Sequence, residues 1–264
     1  MSYQRIGREL KTQLALTENL YQRHISWPLL VNLFVTNRCN LRCWYCFANA
    51  GAAGYVYNPS LKDLKKMMLM AKEAGALAIQ ITGGEPTVRE DIFEILKFAR
   101  ENFVHVQLNT NGIKIAEDLE FTKKLKGLIN TIYLSFDGVT KETNPWLDYS
   151  RKAIENFRKA GIKSIVLVPT VHRGNLNQVW KIIEFAFENI DVVRGIIFQP
   201  IAMAGRISKI TSEYLKEHRI DYIDIFEVIE TQSNDRVTRW DFYPVPFICL
   251  LYTSDAADEG LGVD

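Results

Sequence analysis

Six short apolar segments alternate with helical ones along this chain, and that alternation restricts its fold more than any other feature. Leu29 to Val35, Ala78 to Thr82, His105 to Asn109, Thr131 to Phe136, Ser164 to Pro169 and Val193 to Gln199 have strand length and lean towards β-branched and aromatic residues. Between them, apolar residues recur at helical spacing. Leu64, Met67, Met68 and Ala71 follow a Ser60 N-cap and precede a Gly75 stop. Further helices are expected over about Asp91 to Glu101, Glu117 to Lys126, Ser150 to Ala160 and Asn177 to Glu188. Most units repeat every ~27 to 33 residues, which demands a parallel sheet joined by right-handed crossovers.

Polar residues gather at the carboxyl end of nearly every expected strand: Cys39 to Cys46, Gly83 to Pro86, Asn109 to Gly112, Asp137, Thr170 to Asn177 and Gln199. In a barrel those ends share one mouth, whereas distant strands of an open sheet could not share one ligand. The expected fold is therefore α/β, a partial (β/α)6 TIM-like barrel that does not close completely.

Charge supplies no global field. The chain has 32 Lys and Arg against 31 Asp and Glu, which gives nucleic acid no attraction to it. Its start is interrupted by Arg5, Arg8, Glu9 and Lys11, unlike a secretory signal, and its longest apolar run is broken at Asn32, so no transmembrane segment is expected. Four cysteines, three of them clustered, do not make a disulfide framework. A cytoplasmic, reducing location follows.

The clustered thiols are Cys39, Cys43 and Cys46, spaced C-x3-C-x2-C directly after the first strand. Three neighbouring thiolates can hold three irons of a cubane and leave the fourth open for chemistry. Structural zinc is the alternative, but it wants four ligands in two short pairs, and the remaining Cys249 lies far away. A zinc-binding, non-enzymatic barrel is the reading this would imply. Gly83-Gly84-Glu85-Pro86 suits a loop where backbone approaches a ligand closely, with Glu85 accepting from an ammonium group; taken alone, it is also an ordinary strand-to-helix turn. Asn109-Thr110-Asn111-Gly112 and Ser135-Phe136-Asp137-Gly138 could offer Asn109, Ser135 and Asp137 to a polar cofactor, although Asn-Gly and Asp-Gly are favoured turn dipeptides in any case. His105 reads as a half-buried strand residue and His172 as a weak candidate for substrate contact.

The cysteine spacing, with an aromatic before the last cysteine and Gly-Gly-Glu-Pro after the second strand, resembles the radical S-adenosylmethionine superfamily. The resemblance covers about Leu29 to Pro200. It implies that Cys39, Cys43 and Cys46 ligate a [4Fe–4S] cluster whose open iron chelates S-adenosylmethionine. Reductive cleavage would then yield methionine and a 5′-deoxyadenosyl radical that removes hydrogen from a C–H bond. The family pattern adds Tyr45, Val168 and Pro169 near adenine. It also implies oxygen sensitivity and an external low-potential electron donor.

Narrower likenesses, in Cys46-Phe-Ala-Asn-Ala50, Gly83 to Asp91, Tyr133 to Gly138, Val193 to Pro200 and Asp241 to Pro246, resemble the archaeal tetraether lipid synthase group and its relatives that methylate the methanopterin ring. That resemblance implies C–C bond formation or methylation on a lipid or pterin-like small-molecule substrate; modification of a peptide or another small molecule is the alternative. Full members of the group carry further cysteine-rich segments, which are lacking here, so Cys249 receives no ligand role. The expected organisation is an N-terminal helical extension over residues 1–28, the core over 29–200, a C-terminal extension over 201–249 that is cut short, and a tail over 250–264. The tail shifts to small and acidic residues, as translated adapter sequence or a disordered end would.

Overall fold

The computed structural model describes residues 28–51, 57–207 and 210–242. They fall in two units, Trp27–Val237 and a second that joins Met1–Ser26 to Thr238–Asp264. Of the second, only the turn around Arg239–Asp241 is described; there the Asp241 carboxylate accepts from Thr238 N and Oγ1. The helix expected before residue 28, the tail over 250–264 and Cys249 lie outside the described residues.

The first unit contains a six-stranded sheet: β1 (Leu30–Phe34), β2 (Ala78–Thr82), β3 (His105–Thr110), β4 (Thr131–Ser135), β5 (Ile165–Val168) and β7 (Val193–Ile196). A two-stranded piece adds β6 (Thr170–Val171) and β8 (Gln199–Pro200). All pairs are parallel, and the order β1-β2-β3-β4-β5-β7 never reverses. Right-handed crossovers that always step the same way place every helix on one face. The other face curls on itself, and because β1 and β7 are not paired, the barrel stays open. The doubly wound alternative would require a reversal.

The helices are α1 (Leu61–Glu73), α2 (Ile92–Asn102), α3 (Ile113–Glu117), α4 (Leu119–Leu125), α5 (Leu147–Ala160), α6 (Val179–Glu188), α7 (Ser212–His218) and α8 (Tyr222–Ser233). Ser60 caps α1 by accepting from Asp63 N at 3.2 Å. Gly161 ends α5 in the left-handed conformation, φ 71°. The helix expected over Glu117 to Lys126 is α4, started at Asp118, which is extended and whose carboxylate accepts from Phe121 N at 2.8 Å; the short α3 before it was not expected. The fifth strand ends one residue early for a similar local reason. Pro169 has no N–H to give the ladder, so pairing resumes only at β6. Helices α7 and α8 were not anticipated; α8 carries a full capping box between Asp221 and Asp224.

Alternation along each strand sorts the side chains. Leu33, Ile79, Ile81, Val106, Leu108, Ile132, Leu134, Ile165 and Leu167 are buried in the main core. Each such side chain contributes about 1.5–3 kcal/mol by leaving water. The opposite, concave face carries Asn32, Gln80, Gln107, Asn109, Thr131 and Tyr133. Asn32, Gln80 and Gln107 stand in one register row, and Gln80 donates to Gln107 at 3.4 Å. A smaller cluster of Val171, Val179, Ile220, Ile225 and Ile229 seats α8 beside α6. Among the described residues, no helix is long and apolar enough to cross a membrane.

Candidate active site

The loop after β1 is held at its root before any cysteine is reached. Asn37 N donates to Tyr57 O at 2.8 Å, Asn37 Oδ1 accepts from Tyr57 N at 2.9 Å, and Asn37 O accepts from Gly51 N at 2.8 Å. One buried asparagine therefore ties together both ends of the cysteine segment. Arg89 braces the same root from behind: its guanidinium donates to Val35 O, Asn58 Oδ1 and Pro59 O and is bidentate to Asp91, whose carboxyl it holds below the usual range.

The Gly-Gly-Glu-Pro turn docks directly on this loop. Gly84 N donates to Thr36 O at 2.7 Å and Glu85 N to Arg38 O at 2.9 Å. A Cβ on Gly83, whose φ is 143°, would stand 2.2 Å from Thr36 O, and one on Gly84 would stand 2.3 Å from Arg38 O. The two glycines are thus required by contact between two backbones, a reason that the sequence reading did not anticipate. Glu85 is 1% exposed. Its carboxylate accepts from Thr87 N and Oγ1, Thr110 Oγ1 and Asn111 N at 2.6–3.1 Å, which stitches the end of β2 to that of β3. Burial pushes its pKa up, and those four donors pull the other way.

One cavity collects most of the residues singled out from sequence. Cys39, Cys43, Tyr45, Cys46, Gly83, Gly84, Asn109, Ser135, Asp137 and Val168 all line it. Glu85, Pro86 and Pro169 do not; they are buried just behind the wall. Asn109 donates to Thr82 Oγ1 at 3.2 Å across the strand ends, and Ser135 is exposed to the opening. Gln199, expected as a strand-end polar residue, lines it too, and so do Phe47, Asn144, Trp146 and Ser150, which were not singled out from sequence. Of these four, Trp146 is marked as an aromatic after Asn-Pro near a helix start, and the remaining three carry no local signal.

Asp137 organises the far wall. Its Oδ1 accepts from Thr170 N at 2.8 Å, its Oδ2 from Tyr45 Oη, and its carbonyl from Asn175 Nδ2 at 2.8 Å. Burial raises the Asp137 carboxyl to about 6, while its two donors restrain the rise. The Tyr45 phenol is pushed up as well, first by burial and then by the neighbouring Asp137 charge. His172 packs edge-on to Trp44 at 5.1 Å and tilted to Tyr45 at 6.0 Å, and burial lowers its pKa. His105 pairs with Thr131 Oγ1 at 3.2 Å.

The thiols are free, partly buried and mutually felt. Burial raises Cys39 to about 11, with Glu85, Cys43 and Cys46 adding to the rise and the Leu41 N–H opposing it; burial also raises Cys43. Thiols ionise on binding a cationic metal centre, which releases their protons. Among the described residues, no three His, Cys, Asp or Glu side chains converge as one metal ion requires. A single zinc draws its sulfurs to about 2.3 Å on all sides. A cubane takes each thiolate on a different iron and accepts thiols set apart. The donor set, three soft thiols around one cavity with polar strand ends opposite, fits the cluster and a nucleotide-like companion.

Comparison with known proteins agrees with this geometry. The sequence profile of the Radical SAM superfamily matches residues 33–186. The 7,8-dihydro-6-hydroxymethylpterin dimethyltransferase of Methanocaldococcus jannaschii is 47% identical over 240 residues, 87% of this chain and 47% of that protein. The Fe-coproporphyrin III synthase of Methanosarcina barkeri is 31% identical over 189 residues, 69% of this chain and 46% of that protein. The chain thus spans less than half the length of either relative. In fold it resembles Streptococcus suis SuiB bound to S-adenosylmethionine, with a TM-score of 0.62 at 23% identity over 79% of this chain and 48% of SuiB. With the profile covering more than half of its residues, the chain belongs to the radical SAM superfamily, enzymes that use a [4Fe–4S] cluster and S-adenosylmethionine.

Proposed function

We propose that this chain is the S-adenosylmethionine-cleaving core of an enzyme that methylates a pterin-like ring, with the methyl group taken from a separate one-carbon donor because reductive cleavage leaves the sulfonium methyl on methionine. The observation that carries the reading is the single cavity lined at once by Cys39, Cys43 and Cys46 and by the strand-end residues Gly83, Gly84, Asn109, Ser135 and Asp137. When bound, the cluster supplies the electron that splits the sulfonium into methionine and a 5′-deoxyadenosyl radical. The chain's own residues do the positioning. Cys39, Cys43 and Cys46 hold the cluster, and the Gly83-Gly84 turn presents its backbone beside it. Glu85 keeps that turn against β3 from behind. Asn109, Ser135 and Asp137 offer polar groups to the nucleotide, and Val168 offers an apolar wall to its base. Tyr45, tethered to Asp137, closes the side next to the cysteines and excludes water.

Polar side chains of the same cavity support the substrate class. A lipid chain there would strip water from Ser135 and Gln199 without supplying partners, which is costly. A heterocycle with alternating donors and acceptors would satisfy them. The identity with the pterin dimethyltransferase points the same way. An external low-potential donor in a reducing, cytoplasmic setting completes the reading.

Anaerobic reconstitution tests it. Brown protein with about four irons per chain that releases 5′-deoxyadenosine under strong reductant supports the core activity, and colourless protein holding one zinc overturns it. Mass spectrometry after incubation with 7,8-dihydro-6-hydroxymethylpterin then tests the substrate: gain of methyl mass supports the pterin, while 5′-deoxyadenosine release that pterin leaves unchanged, with no methyl gain, removes it.

A further inference from the structure

The segment after β8 returns to the cysteine loop and grips it. Arg206 N donates to Cys46 O at 3.0 Å, Arg206 Nη1 to Cys43 O at 2.9 Å, Arg206 Nε to Asn49 Oδ1 at 3.2 Å, and Arg206 Nη2 to Ala50 O. The partners lie more than 150 positions away in sequence, so this is a tertiary clamp and not a local turn. Gly205 makes the approach possible: its φ is 69°, and a Cβ there would stand 2.1 Å from Phe47 O and 2.5 Å from Cys46 O. The gripped stretch needs holding. Asn49 is itself in the left-handed region at φ 45°, and the loop's own bonds, Cys46 N to Cys43 O, Asn49 N to Cys46 O and Ala50 N to the Cys46 sulfur, fold it back.

Cys39 is held by other means. Its neighbour Arg38 is fixed by Glu85 N, and Thr36 by Gly84 N, both from the turn after β2. The three thiols thus divide between two anchors. We propose that Arg206 is a positioning residue that fixes Cys43 and Cys46 for the cluster, while the Gly-Gly-Glu-Pro turn fixes Cys39. The planar fork of a guanidinium reaches Cys43 O, Asn49 Oδ1 and Ala50 O together; an ammonium on a flexible stem cannot. The proposal concerns the loop of the function proposed above, but its primary test needs no cluster.

In the metal-free chain, alkylation of each cysteine by iodoacetamide is followed by peptide mass spectrometry. Arg206→Gln and Arg206→Lys are expected to speed modification of Cys43 and Cys46 about tenfold, the weight of one lost charge-assisted hydrogen bond, with Cys39 unchanged. Gly84→Ala is expected to show the reverse pattern. Circular dichroism melts of each variant verify that the fold persists. Equal acceleration of all three thiols, or of none, overturns the assignment, as does full protection by Arg206→Lys, which would make charge and not the fork the cause. In reconstituted protein the same variants should lose iron to a chelator faster than wild type; unchanged iron retention would also overturn it. Failure of the wild-type chain to take up iron, with the alkylation pattern intact, would count against the cluster reading alone.

Discussion

The barrel's first five strands and its last one are built differently. From β1 to β5 every neighbour pairs residue for residue, and the first three strand ends are joined by Gly84 N on Thr36 O, by Arg89 on Val35 O and by the four bonds to Glu85. Between β5 and β7 the register slips at Ile165/Val166, and beyond Pro169 the ladder survives only as the β6–β8 pair. The regular part presents the cysteines, glycines and polar strand ends at fixed spacing. The irregular part leads into the chain after β8, which returns to the cysteine loop through Gly205 and Arg206. Regularity sets the cofactor end, and departure from it closes the cavity.

The sharpest way to break this contrast is at the thiols. Cys43→Ala should abolish both the brown colour and 5′-deoxyadenosine release. Asn175→Ala, which loosens Asp137 and Thr170 in the closing part, should leave the colour in place. Iron analysis and absorbance spectra separate the two, and colour retained in Cys43→Ala would end the division of labour. Next in size is Gly84→Ala. Its new methyl would meet backbone at 2.3 Å and should cost about 1–3 kcal/mol or more in urea unfolding, as overpacking does. Gly127→Ala isolates the conformational effect, with φ at 83° and open space around it, and should cost only the ~1 kcal/mol of left-handed backbone, whereas Gly84 has no positive φ and meets contact alone. A cost at Gly84 no larger than that at Gly127 would show that the two docked backbones part easily.

Glu85→Gln comes third. The amide cannot accept from all four donors, so unfolding should become easier by about 1–3 kcal/mol even without cofactor. A smaller loss than that of Asn175→Ala would reverse the claim that the first strand ends are the more tightly tied. The smallest effect is a pH slope. Burial holds Asp137 near 6 in the folded chain against 3.8 ordinarily, so the protonated folded form is favoured. Its stabilising contribution is full below about pH 4 and is lost as pH rises through about 6. Asp137→Asn should therefore flatten the fall in melting temperature between those values, leaving the part due to Glu85, which is raised in the same sense. An unaltered slope would place the Asp137 carboxyl in a wetter setting than the far wall described here.

Much of this was legible from residues alone. Short apolar runs ended by polar loops located all six strands of the main sheet, because positions such as Ile79, Ile81, Val106 and Leu108 must be buried whatever the function. The cysteine spacing and the strand-end polar groups marked the cavity, since chain direction alone puts the ends of parallel strands together. What escaped depended on partners distant in sequence. Nothing near Gly205-Arg206 announces a clamp on residues 43–50. Gly83 and Gly84 looked like ligand-facing glycines because their true neighbours, Thr36 O and Arg38 O, become visible only in three dimensions. Helix α3 was missed because Ile113–Glu117, at five residues, is too short to show a helical repeat.

Because the cysteine loop and the Gly83-Gly84 turn meet main chain to main chain, their mutual alignment depends on side-chain identity at few places. Such a joint can be inherited while almost everything around it mutates. That is consistent with a core that keeps its shape beside SuiB when fewer than one residue in four is shared. It also means that substitutions elsewhere on the concave face of this barrel need not disturb the joint at its rim.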